Sequence, residues 1–405
     1  MKPSRLATYS FLCIQLAALP LAGAEWPEFR GPTGQGVAVV RGAPTTWSET
    51  ENVTWKTALP GLGWSSPVIR DGKVWLTTAT EDGRSLRALG LDVVTGELLH
   101  DVEVFRLESG PGIHKKNSHA SPTPILEDDR VYVHFGRSGT AALDASGRVL
   151  WRNQEHRFSH VHGNGGSPVM WGDLLIFSAD GSDKQTVVAL DKNTGKTVWV
   201  NDRGGRMSFS TPLAFEHEGR AQVVSTGGDH AASYDPKTGD ELWRITYDGF
   251  SLVPRPVYGH GLVYVTSGFY NPILFAVRPG GEGDVTDSHV VWQVSRGVPL
   301  TPSPLLVGDE LYMVSDRSIA TCLDAKTGRQ LWQARVDGAS SASPTYAAGN
   351  VYFLNEAGQM TIFEAGPERK EIARNQLDGR TLASPAFVDG AMFLRTEQAL
   401  YRIEP

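Results

Sequence analysis

Short apolar runs alternate along the chain with turns rich in glycine and aspartate, and the alternation has a long period. Eight prolines mark it: Pro67, Pro124, Pro168, Pro212, Pro256, Pro304, Pro344 and Pro385, spaced 57, 44, 44, 44, 48, 40 and 41 residues apart. After seven of them an apolar strand is expected to begin seven positions on, at Val74, Val131, Leu175, Val263, Leu311, Val351 and Met392. After Pro212 the charged run Glu216 to Arg220 is expected to lengthen the turn. The third repeat shows the unit in full: Ser167–Met170, Leu174–Phe177, Val187–Leu190 and Lys196–Trp199 read as four strands. Proline suits only the first, because it cannot donate to a ladder and belongs on an edge.

A period of about 40–50 residues built from four short strands predicts a β-propeller with one blade per repeat. The fold class is therefore all-β, a single eight-bladed propeller, with seven blades as the runner-up. The eighth repeat ends after Ala399–Ile403 without a fourth strand, and Glu51–Lys56, ahead of the first repeat, reads as that missing strand. The N-terminal segment is thus expected to complete the last blade and close the ring, removing exposed edges.

Asp-x-x-Thr-Gly recurs between third and fourth strands, at Asp92, Asp191, Asp235 and Asp324, with a shorter version at Asp144. The aspartate accepts from turn amides and the glycine takes the positive φ of the hairpin, so the recurrence is structural. Tryptophan follows four residues later at Trp151, Trp199, Trp243 and Trp332, and Trp292 stands in the same place after the irregular stretch Gly280–His289. A ring so placed is expected to pack against the neighbouring blade.

Lys2 and Arg5, the apolar run Phe11–Leu21 and Ala22-Gly23-Ala24 read as a signal peptide over 1–24, leaving 25–405 as the propeller domain. The apolar run is too short for a transmembrane helix, so the expectation is an exported chain, periplasmic or secreted. Without Lys2 and Arg5 the formal charge of −7 becomes −9, which gives no electrostatic case for nucleic acid. Cys322 alone would then remain, in an apolar strand pattern that reads as core, and a closed ring needs no partner at its edges, so a monomer is expected.

Ala-Leu-Asp-x-x-Thr-Gly-x-x-x-Trp, at Ala189–Trp199, resembles the tryptophan-docking repeat of the pyrroloquinoline quinone (PQQ) propeller superfamily. The opening Trp26–Gly34, with Gly63–Pro67 and Ala383–Pro385, is similar to PQQ-binding-like repeat proteins of planctomycete-type bacteria, which share the fold of the BamB assembly factor. The quinoprotein dehydrogenases of this superfamily hold PQQ beside an adjacent-cysteine disulfide and a calcium ion. This chain has neither the cysteine pair nor a recognisable calcium set, so no cofactor is expected, PQQ with calcium or a divalent metal being the alternative. The resemblance implies a non-catalytic binding scaffold with a protein, peptide or glycan partner in the cell envelope. The alternative is a degenerate quinoprotein-type oxidoreductase, or a histidine-based metal enzyme, with its site at the channel rim.

Candidate chemistry lies where the repeats are interrupted. Two loops leading into inner strands carry His114, Lys116, Asn117 and His119, then His160, His162 and Asn164. They are expected to meet at the channel rim. His114, His119, His160 and His162 are candidate metal ligands, one histidine is a candidate general acid–base, and a polar rim contacting a ligand is the third reading. Arg255 and Arg296 lead into later inner strands, and both are expected to face the channel and clamp an anion, or else to pair between blades.

Overall fold

The computed structural model describes residues 25–405; the signal-peptide reading falls on 1–24 and lies outside the described residues. These residues form eight sheets, one per repeat, each built on four antiparallel strands. Every inner strand starts at the residue after its proline: Val68–Arg70, Ile125–Glu127, Val169–Trp171, Leu213–His217, Val257–Gly259, Leu305–Val307, Thr345–Ala347 and Ala386–Val388. These strands open blades 1 to 8. The run after Pro212 lengthens the paired strands and leaves a tight turn, since Leu213–His217 and Arg220–Thr226 stay in register out to His217↔Arg220.

Ring closure is as expected. Val53–Ala58 is the outer strand of blade 8 and pairs antiparallel with Ala399–Ile403, from Val53↔Ile403 to Ala58↔Ala399. The irregular stretch 280–289 adds a two-residue parallel strand, Gly283–Asp284, to the edge of blade 4 at Trp243 and Arg244. The core lies between adjacent sheets, and its largest cluster joins blades 7, 8 and 1 to Trp26 and Trp47.

The tryptophans lock one blade to the next. The indole Nε1 of Trp55, Trp151, Trp199 and Trp292 donates to the backbone oxygen of Val93, Lys192, Pro236 and Ala325, at 2.9–3.2 Å. Each acceptor follows the turn aspartate of the next blade, whose side chain is itself engaged: Asp191 Oδ1 accepts from the amides of Asn193 and Thr194. The turn glycine has to be glycine here, because a Cβ on Gly195 would stand 2.4 Å from the Trp151 ring and φ is +71°. Trp243 differs, donating to Gln222 Oε1 of its own blade at 2.8 Å. Blade 5 lacks the Asp-x-x-Thr-Gly turn that would receive it.

Candidate functional site: a blind cavity at the channel mouth

The residue before each inner-strand proline is held extended by the ring that follows it. In seven blades that residue is Ser66, Thr123, Ser167, Thr211, Ser303, Ser343 or Ser384, and in blade 5 it is Arg255. Each hydroxyl accepts the backbone N–H of its counterpart in the preceding blade. The bonds run from Ser66 to Thr123, Thr123 to Ser167, Ser167 to Thr211, Arg255 to Ser303, Ser303 to Ser343, Ser343 to Ser384 and Ser384 back to Ser66, at 2.9–3.2 Å. The circle opens only between Thr211 and Arg255, where no hydroxyl is available to accept. All seven hydroxyl residues are between 1 and 5% exposed and line a cavity of about 620 Å³.

Below this ring the segment 26–38 crosses the channel. The amides two residues beyond four of the prolines pair with it: Ile69 with Trp26 O, Leu126 with Pro27 O, Tyr258 with Gln35 Oε1 and Tyr346 with Gly36 O, at 2.8–2.9 Å. Val37–Ala38 then continues as a parallel strand beside Thr345–Ala347. Inner-edge amides that would face an open channel are thereby satisfied. Arg30 donates to Gln35 O at 2.8 Å and to Pro304 O at 2.7 Å. Phe29 faces up into the cavity, so the channel is blind.

The wall is divided. On one side stand Phe209, Phe250, Phe269 and Tyr270. Phe269 and Tyr270, on the blade 5 hairpin, are 45% and 75% exposed, and Tyr270 takes φ +78°. On the other side Lys116 Nζ reaches Glu356 Oε1 of blade 7 at 2.7 Å, tying the loop ahead of blade 2 across the mouth. Burial pushes the Glu356 carboxyl up, but the Lys116 and Ser341 hydrogen bonds outweigh it and hold the carboxyl below its usual value. Asp316, a carboxylate on the cavity lining, accepts from the amides of Leu300 at 2.6 Å and Thr301 at 3.3 Å.

The two histidine loops do meet. His114 N–H donates to His162 O at 3.1 Å, and Asn117 Nδ2 to the same oxygen at 2.8 Å. His114, Lys116, Asn117 and His162 line the cavity, with the His114 and His162 rings edge to face at 5.5 Å. Burial first, and then His114, lower the pKa of His162. The other candidates stand elsewhere. His119 lies against Gly83, where a Cβ would come within 2.5 Å of its ring, and His160 stacks edge-on to Phe158. Burial, with Arg137 second, takes His160 down to about 4. Asn164 is buried, donating to Gly166 O. Arg296 is exposed on its loop. Arg255 is 1% exposed and turned beneath the ring, donating to Phe29 O at 2.7 Å with Glu28 at 3.6 Å.

Among the described residues no group of three or more His, Cys, Asp or Glu side chains is placed to hold a metal ion. Asp316 and Glu356 are engaged as described, and Cys322 is buried in blade 6, donating weakly to Gly366 O. This donor set does not fit a calcium-bound quinone held beside paired cysteines.

The family described as outer membrane protein assembly factor BamB matches residues 24–182 and 183–404. This chain belongs to that family. It is similar to the outer membrane protein assembly factor BamB of Shewanella oneidensis, 24% identical over 284 residues, 65% of this chain and 68% of the relative. In structure it is similar to BamB of Moraxella catarrhalis, with TM-score 0.60 at 17% identity over 87% of this chain and 97% of that one. It is also similar to the quinohemoprotein alcohol dehydrogenase of Comamonas testosteroni, with TM-score 0.66 at 11% identity over 94% and 80%. These two likenesses carry the fold. The family places the chain among BamB-like propeller scaffolds of the PQQ-repeat type.

The seven-hydroxyl ring and the segment beneath it are absent from the sequence-based expectations. The ring had a visible signal, a serine or threonine before seven of the eight prolines. The crossing segment had none within the repeat pattern.

Proposed function

We propose that this protein is an exported binding scaffold of the cell envelope that receives a segment of a partner protein in its mouth cavity. The observation that carries this is the rim itself, where Phe269 and Tyr270 are exposed beside a walled, blind cavity of about 620 Å³. That volume lies in the usual range for a ligand site. Exposed aromatic side chains beside such an opening supply contact area with little entropy to lose on binding. The family description supports a component of the outer-membrane protein assembly machinery as the partner. The basic, apolar and small-residue stretches of 1–24 support export.

Photo-cross-linking in the native envelope tests it. A photoreactive phenylalanine at Tyr270 is expected to give a discrete protein adduct, identified by mass spectrometry. The same group at Lys326, exposed on a hairpin of the opposite face, is the control. Equal yields at both positions, or no adduct at Tyr270, would reject the mouth as the docking site.

A further inference from the structure

We infer that the floor of the mouth cavity is a binding site for a carboxylate joined to an apolar body. The inference rests on the mouth being the binding face and names the chemistry that its deepest part takes.

The ring hydroxyls are the first observation. Each accepts one backbone N–H, and none donates to any described residue, so seven O–H protons are left for whatever occupies the cavity. A hydroxyl that already accepts a hydrogen bond is polarised into a better donor. Buried donors without acceptors cost free energy, and an acceptor-rich guest removes that cost.

Charge is the second, independent observation. Arg30, Arg255 and Arg395 are buried around the ring, at 2, 1 and 1% exposed. Arg395 donates to Ser65 O at 3.2 Å and Thr77 O at 2.9 Å, both neutral acceptors. The carboxylate near these three is Glu28, 3.6 Å from Arg255. Arg30 Nε and Nη1, Arg255 Nε and Arg395 Nε have no hydrogen-bond partner among the described residues. Guanidinium cannot shed its proton under ordinary conditions, so the floor is positive, and low-dielectric surroundings carry that potential into the cavity. Glu356 is neutralised by Lys116, and Asp316, the carboxylate on the lining, with Glu28 still leaves the three arginines in excess.

These features select a singly charged, planar anion over a phosphate dianion, since no uncommitted cationic side chain touches the cavity to desolvate a second charge. Phe29 below and Phe209 and Phe250 beside it give the remainder of the ligand an apolar seat. Two sources present such a group: the C-terminus of a partner chain and a free small carboxylic acid.

Calorimetric titration of the full mature protein separates them with three probes: a six-residue peptide ending in phenylalanine with a free carboxylate, the same peptide amidated, and phenylacetate. The free-acid peptide is expected to bind about tenfold or more tightly than the amide, the effect of losing a hydrogen-bonded charge. Thr123→Val, with its folding checked by thermal melt, is expected to weaken the acid and leave the amide unchanged. The acid–amide ratio of the wild type decides the matter even where that variant melts early. A peptide acid tighter than phenylacetate assigns the site to a chain terminus; phenylacetate binding as tightly assigns it to a free acid. Equal affinity for acid and amide overturns the inference and leaves the mouth reading standing. Absence of binding by all three overturns it as well, while a Tyr270 adduct would still report on the mouth.

Discussion

The two ends of the channel are made from the same eight inner strands, yet one is sealed and the other open. At the sealed end, four inner-edge amides pair with the segment 26–38, and Arg30 and Arg255 are buried against backbone, with a half-buried Glu28 beside Arg255. At the open end, the charged pair Lys116–Glu356 keeps side-chain exposures of 39 and 17%, and Tyr270 stands in solvent. A repeat supplies identical edges at both ends. The non-repeating segments decide which end stores stability and which stays available to a ligand.

The largest expected effect breaks the sealed end. Trp26 is 1% exposed, pairs with Ile69 and lies against Gly31, where a Cβ would come within 2.8 Å of the indole. Trp26→Ala is expected to cost about 3–5 kcal/mol, the usual range for truncating a buried large aromatic residue. Denaturant unfolding measures it. An unmoved midpoint would make the segment a passive tail and remove the contrast between the ends.

Much of this architecture is legible in the sequence because its causes are local and repeat. Proline before each inner strand, Asp-x-x-Thr-Gly in the outer hairpin and the tryptophan four residues on are each a short pattern with one physical role. Even the closing strand could be found, since the last repeat lacked its fourth strand. Arg255 shows where that reasoning stops. Its backbone enters the inner strand as its seven counterparts do, but its side chain turns down because Phe29 O and Glu28 lie there, 226 and 227 positions away. Nothing local announces such a pair. The histidines divide for a similar reason: the loops meet as expected, while Gly83 takes the His119 ring and Phe158 takes that of His160.

The next effect separates buried groups from rim groups by acid. His134, in blade 2, is wholly buried with Nδ1 2.8 Å from Thr140 Oγ1, and burial lowers its pKa to about 3, His156 adding to it. Its folded pKa lies below the unfolded value near 6.5, so its contribution is intact above that pH. It is lost as pH falls from about 6.5 towards 3, because the unfolded chain binds the proton first. The slope is about 1.4 kcal/mol per pH unit for one such group. His134→Gln is expected to flatten the acid limb of stability against pH in that window. An unchanged limb would place the acid sensitivity in other groups.

The smallest expected effect probes the open end. Lys116 Nζ and Glu356 Oε1 are 2.7 Å apart, but the lysine is more than one-third exposed, so solvent and salt screen the pair and ordering its long side chain offsets the attraction. Lys116→Met is therefore expected to shift unfolding by less than about 1 kcal/mol, and less again at high salt. The same substitution unties the loop ahead of blade 2 from blade 7, so the free-acid peptide is expected to reach the cavity faster while the fold stands. Stopped-flow association and a denaturant titration on one preparation read both quantities. A stability loss above about 2 kcal/mol, well beyond the usual worth of an exposed pair, would place the strap among the elements that hold the ring closed, and the two ends would no longer differ in kind.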